Sequence, residues 1–130
     1  MVNNSMEKYL QIFNLSVPPS VNAVWLRGKK GSYIAPKYAA WIAVNSLAIG
    51  KTFDPFTKGV CITIRVHGGK GWRTNRDIDN ILKPVLDILV RKQVILDDNC
   101  QVVKKVCAVY LDPLNKKTEA HLEVEVEGSL

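Results

Sequence analysis

"NRDIDNILKPVLDILVRK" (Asn75–Lys92) begins as a polar loop and ends as a helix, and the point of change decides the fold. Ile78, Ile81, Leu82, Val85, Ile88 and Leu89 recur at i, i+3, i+4 spacing, the apolar stripe of an amphipathic helix. Proline in a helix interior costs about 3 kcal/mol, so Pro84 belongs in the first turn. The spacing therefore predicts a helix over 80–92 with Asn80 as its N-cap. Asp77 and Asp79 then end the loop that enters it. Upstream, Val60, Ile62, Ile64 and Val66 alternate through "GVCITIRVHG", which is a strand. The chain thus runs strand, loop, helix through its middle.

Working outward, "QIFNLSV" (11–17) is a short apolar strand, stopped by "PPSVN" because proline cannot donate to a ladder. "VWLRGKKGSYIA" reads as a hairpin with Lys29 and Lys30 at its tip. Pro36 opens a helix in which Tyr38, Trp41, Ile42, Asn45 and Ile49 share a face, and Gly50 ends it. "QVVKKVCAVYL" and "EAHLEVEVEG" are two strands joined at "DPLNKK". In the second, Leu122, Val124 and Val126 alternate with glutamates, so one face is exposed. The order β-ββ-α-β-α-β-β predicts an α+β domain with α/β-like layers: one mixed sheet, a β-hairpin and two packed helices. A length of 130 residues suits a single domain over 1–130, with 1–9 a flexible extension.

No apolar run approaches the roughly 20 residues that span a bilayer, and the first residues lack signal-peptide order, so a cytoplasmic protein without a membrane partner is expected. Cys61, Cys100 and Cys107 form no C-x-x-C pair and read as small buried hydrophobes in a reducing compartment. His67 and His121 stand apart in strand patterns and read as structural.

The net charge is +6, and its distribution is uneven. Between Arg27 and Arg76 the only acid is Asp54, whereas "EAHLEVEVEG" is acidic. The asymmetry suggests one face built for a polyanion and another kept off it; the plain alternative is a solubilising lysine-rich surface. Arg27, Lys29, Lys30, Lys37, Lys70, Arg73 and Arg76 are the candidate nucleic-acid contacts.

Acids stand among these bases. Asp77 and Asp79 precede the helix, and Asp97 and Asp98 follow it in "LDDNC". Taken singly, such residues cap helices and make turns. A helix of about 13 residues is about 20 Å long, so the two pairs meet only if "QVILDD" runs back along it at roughly 3.3 Å per residue. Asp77, Asp79 and Asp98 at one point would repel one another unless a cation neutralised them. An all-carboxylate set with no histidine nearby suits Mg²⁺, or Mn²⁺, rather than zinc. Such an ion polarises a phosphoryl oxygen and activates water. Lys83, four residues past Asp79, could offset charge developing on a phosphate, or simply pair with Asp79 or Asp87.

"RDIDNILKPVLDIL", then "LDDNCQVV", with the earlier "PPSVN", resembles the RusA-type Holliday junction resolvases, small bacterial and phage endonucleases. The resemblance implies that Asp77, Asp79 and Asp98 bind Mg²⁺ and that Lys83 is needed for cleavage, with Asp97, Asp87 and Asn80 in support. It implies a homodimer resolving four-way DNA junctions by paired nicks in recombination and repair, without an organic cofactor. A twofold junction is matched by a twofold protein. Two other functions compete: a non-catalytic basic DNA-binding dimer, and a metal-dependent nucleotide-handling enzyme, the latter disfavoured by the lack of a glycine-rich phosphate cradle.

Overall fold

The computed structural model describes residues 9–20, 25–28, 31–50 and 54–129, and of 25–28 and 31–34 the backbone. Its elements are β1 (Tyr9–Ser16), β2 (Trp25–Gly28), β3 (Gly31–Ile34), α1 (Pro36–Ile49), β4 (Lys58–His67), a 3₁₀ turn (Ile78–Ile81), α2 (Leu82–Arg91), β5 (Val103–Leu111) and β6 (His121–Ser129). Four strands form one mixed sheet in the order β1-β6-β4-β5. β6 is antiparallel to both its neighbours, and β5 is parallel to β4. Among the described residues β2 and β3 pair only with each other, Gly28 opposite Gly31. This is the α+β architecture that the order of motifs predicted, with the hairpin set apart from the main sheet.

The period-two runs explain the core. Val60, Ile62, Ile64 and Val66 of β4 and Leu122, Val124 and Val126 of β6 are all 0% exposed. Tyr38, Trp41 and Ile49 of α1 and Val85, Ile88 and Leu89 of α2 join the same cluster. Truncating such a buried aliphatic, as in Ile64→Ala, costs about 2–5 kcal/mol. The alternate positions of β6, Glu123, Glu125 and Glu127, are half-buried on the opposite face of the sheet. There Arg65 Nη1 donates to Glu125 Oε1 (3.2 Å), and His67 Nε2 lies 3.1 Å from Glu123 Oε1. The two histidines do not stand apart: as register partners they stack, centroids 4.5 Å apart. Cys61 and Cys107 are likewise half-buried rather than in the core, because they fall on the odd positions of their strands; Cys100 is exposed.

α1 starts at Pro36 and stops at Gly50, whose φ of 70° favours glycine. Its one buried polar side chain holds β1. Asn45 Nδ2 donates to Ser16 Oγ and to Trp41 O, and its Oδ1 accepts from Ser16 N, all at 2.9 Å. Trp41 Nε1 donates to Ser16 O (2.9 Å). α1 thereby fixes where the chain leaves β1.

α2 begins later than its apolar stripe predicted. A 3₁₀ turn takes up 78–81, and Asn80 is not the N-cap; Ile81 is, with no side-chain cap bond. The Asn80 side chain is engaged elsewhere, accepting from Arg76 Nε (2.9 Å). Pro84 is the third residue of α2, where its missing N–H has no intrahelical partner to lose. After α2, Gln93 adopts φ 55° and reverses the chain. Phe56 N donates to Val94 O and Leu96 N to Phe56 O, both 2.9 Å, so this segment runs parallel to the start of β4. With Asp98 3.4 Å from Lys83 near the head of α2, the chain does return past the helix, but among the described residues Asp77, Asp79 and Asp98 are not gathered as the metal reading requires. Among the described residues no helix is long and apolar enough to cross a membrane.

Candidate active site

Two segments flank α2: an arm, Gly68–Asp77, leading in from β4, and a turn, Asp97–Val102, leading out to β5. The arm is fixed by backbone at its root, where Lys70 N donates to Thr118 O and Ala120 N to Lys70 O, both 2.8 Å. A Cβ at Gly68 would collide with the Tyr110 hydroxyl, so glycine lets the Tyr110 ring lie against the arm. Trp72, 8% exposed, tilts against Tyr110 at 6.1 Å. The Arg76 guanidinium sits over Trp72 at 4.9 Å, binds Asn80, and reaches Pro19 O with Nη2 (3.4 Å). Burial pulls its pKa down, yet a guanidinium stays protonated. Arg76 therefore staples the arm to the 3₁₀ turn and to the proline segment. Beyond it, Asp77 and Asp79 are exposed, and among the described residues neither carboxylate has a hydrogen bond or ion pair.

The turn is built by its own polar groups. Asp97 Oδ1 accepts from Asp98 N (2.7 Å), Asp97 Oδ2 from Asn99 Nδ2 (3.0 Å), and Asn99 Oδ1 from Gln101 N (3.0 Å). These bonds aim Asp98 at α2. Lys83 Nζ lies 3.4 Å from Asp98 Oδ2 and 3.0 Å from Asp87 Oδ1. Asp87 Oδ2 in turn accepts from the Tyr38 hydroxyl of α1 (3.2 Å). The Asp87 hydrogen bond is the largest cause that raises the Lys83 pKa; burial opposes it and the Asp98 charge adds to it. Burial first, then Asp87, pushes Tyr38 up to about 12, so its phenol remains the donor.

The structure thus brings together Lys83, Asp87 and Asp98, fifteen residues apart at the extremes (98 minus 83), and holds Asp77 and Asp79 at the entry of α2. Among the described residues no three acidic, histidine or cysteine side chains are gathered so as to hold a metal ion. The donor chemistry of Asp77, Asp79 and Asp98 suits a hard cation. In the present arrangement the Lys83 ammonium is the cation between Asp87 and Asp98.

Three of the predicted phosphate contacts share one open groove of about 720 Å³. Lys37, Arg73 and Arg76 line it together with Pro19, Trp41 and Val44. Lys70 is exposed but lines the arm's root instead. Lys29, Lys30 and the Arg27 side chain lie outside the described residues. Sequence reasoning missed two parts of the site. Tyr38 sat at core spacing, and only its hydroxyl hinted at the bond to Asp87. The prolines read as a strand stop, whereas they also wall the groove.

No curated protein matches the chain. The family described as Endodeoxyribonuclease RusA matches residues 16–127, a span that takes in α1, the arm, α2 and the turn. Over that span, acids, lysine and groove included, the chain belongs to the RusA endodeoxyribonuclease family.

Proposed function

We propose that this protein is a divalent-metal-dependent, structure-selective endonuclease that cuts four-way DNA junctions as a homodimer. Membership of a family of Holliday junction-resolving endonucleases supports the reaction class. The observation that carries the site is the meeting of Asp98 with Lys83 at the head of α2, next to an arm whose Arg76 also lines the cationic groove. Asp77, Asp79 and Asp98 would hold Mg²⁺, or Mn²⁺, which supplies Lewis acidity and an acidified water. Lys37 and Arg73 grip phosphates on the groove wall, with affinity that falls as salt rises. Lys83, charged throughout the neutral range, offsets negative charge as the phosphodiester breaks. Asp87 positions that ammonium, and Tyr38 positions Asp87.

A nicking assay on four-way, forked and linear duplex DNA, with Mg²⁺ and with a chelator, tests this. The wild type nicks the four-way junction in pairs, and only with metal. Asp77→Asn removes cleavage and keeps or tightens binding, since a negative charge facing phosphate is lost. One observation favours a non-catalytic DNA-binding module: Asp87, Asp97 and Asp98 all have structural partners. A folded wild type that binds junctions but never cuts them under any divalent ion would establish that module instead.

A further inference from the structure

Next to the groove, which shares Arg76 with the first of them, lie two adjoining cavities, about 340 and about 370 Å³, that have Trp72, Thr74, Tyr110 and Asp112 in common. Each is roomy enough for a flat heterocycle. Trp72 is nearly covered, so Tyr110, half-buried on the helix side of β5, offers the accessible aromatic wall. Asp112 stands at the same opening. Arg76 lines the first cavity and Lys116 the second, so the cleft is not closed to phosphate, but the Asp112 carboxylate accepts from the N–H donors on a base edge and thereby favours the base over the backbone at that point. Arg76 lines both the groove and the first of these cavities, and so does not let them be independent. Ile78, between Asp77 and Asp79 in the chain, lines that cavity too.

We propose that the Trp72–Tyr110 cleft receives one unstacked nucleobase of the bound DNA, with the base edge toward Asp112, while the adjacent backbone lies along the Arg76 groove. The proposal rests on the reading of the protein as a junction endonuclease. At a branch point the bases are the least costly to unstack, and every base has a face to offer an aromatic ring. The cleft therefore tells a branched strand from a continuous duplex by whether a base is free to enter. Because Ile78, between Asp77 and Asp79, lines the first cavity, the cleft also anchors the strand near the phosphate presented to the acids.

Binding is measured in chelator, so that cleavage plays no part. Four-way junctions are compared with and without abasic nucleotides at the branch, on the wild type, Tyr110→Leu and Tyr110→Phe. Loss of one stacked base lowers affinity about tenfold. The wild type is expected to lose that factor on abasic junctions, and Tyr110→Leu to lose it on normal ones with no further loss on abasic ones. Tyr110→Phe, which keeps the ring, behaves as wild type. Wild-type affinity indifferent to abasic sites overturns the proposal whatever the variants do, as does a Tyr110→Leu loss that simply adds to the abasic loss. A free nucleoside monophosphate that competes with the junction moves the cleft from strand recognition to free nucleotide, which also overturns it. A wild type that binds no DNA overturns the nuclease reading itself, whereas junction binding without abasic sensitivity overturns the cleft alone.

Discussion

The arm before α2 and the turn after it both present aspartates, but they are held in opposite ways. The arm is held by a cation that does not touch its acids: Arg76 binds Asn80, Pro19 and the Trp72 face, and leaves Asp77 and Asp79 without partners among the described residues. In the turn the acids hold themselves, Asp97 through backbone and Asn99, and Asp98 through Lys83. An unpartnered carboxylate is ready for an incoming cation, whereas a paired one must exchange its partner. The turn is thus the adjustable half of the site and the arm the fixed half.

Asp98→Asn tests whether the turn is more than scaffolding. It is expected to lower junction nicking by about 10²–10³-fold, the usual cost of losing one charge-stabilising group. Retention of wild-type nicking would reduce the turn to a support for the Lys83 pair. Lys83→Met separates charge from structure in that pair. Its two ion pairs are exposed, so unfolding free energy changes by less than about 1 kcal/mol. Nicking is expected to fall far more than stability does, and equal losses of both would mark Lys83 as structural.

Arg76→Ala attacks the fixed half. Losing its hydrogen bonds and the ring contact costs roughly 1–3 kcal/mol in denaturant unfolding. Arg76→Lys restores the charge without the planar stack, and so recovers only part. If Arg76→Ala melts like wild type, the arm is fixed by its backbone root at Lys70 alone.

The smallest effect concerns the bond from Tyr38 of α1 to Asp87 beside Lys83. Unfolded, the Tyr38 phenol ionises near 10.0; folded, it keeps its proton to about 12. Between these values the unfolded state binds fewer protons, so stability falls as pH rises. Lys83, its own pKa raised, contributes loss of the same sign. Tyr38→Phe removes the tyrosine share, and thermal melts above pH 10 should decline less steeply than in wild type.

The fold was legible where burial obeys a strict period. Val60 to Val66 and Leu122 to Val126 alternate without exception, and all are buried. The helix stripe was equally plain, but its first turn was not. Arg76, four residues back, claims the Asn80 side chain that was expected to cap the helix, and a contact between a loop side chain and a cap leaves no periodic trace. In the site, residue types and the return past α2 could be read, since distance along an extended chain is arithmetic. Which carboxylate pairs with Lys83 could not, because Asp79 and Asp87 are equally spaced from it. The Tyr38 hydroxyl of α1 meets Asp87, from a residue whose spacing announced only core.

The placement of β6 has a consequence for how the molecule comes to exist. Residues 121–129 lie between β1 and β4 and supply the pairing partner of both. A nascent polypeptide released only as far as Asp98 would own the candidate site residues but not the four-stranded sheet that mounts them. Sequence-distant pairings of this kind form late and slowly. During synthesis, the proposed cutting activity should therefore appear all at once, when β6 slots between β1 and β4.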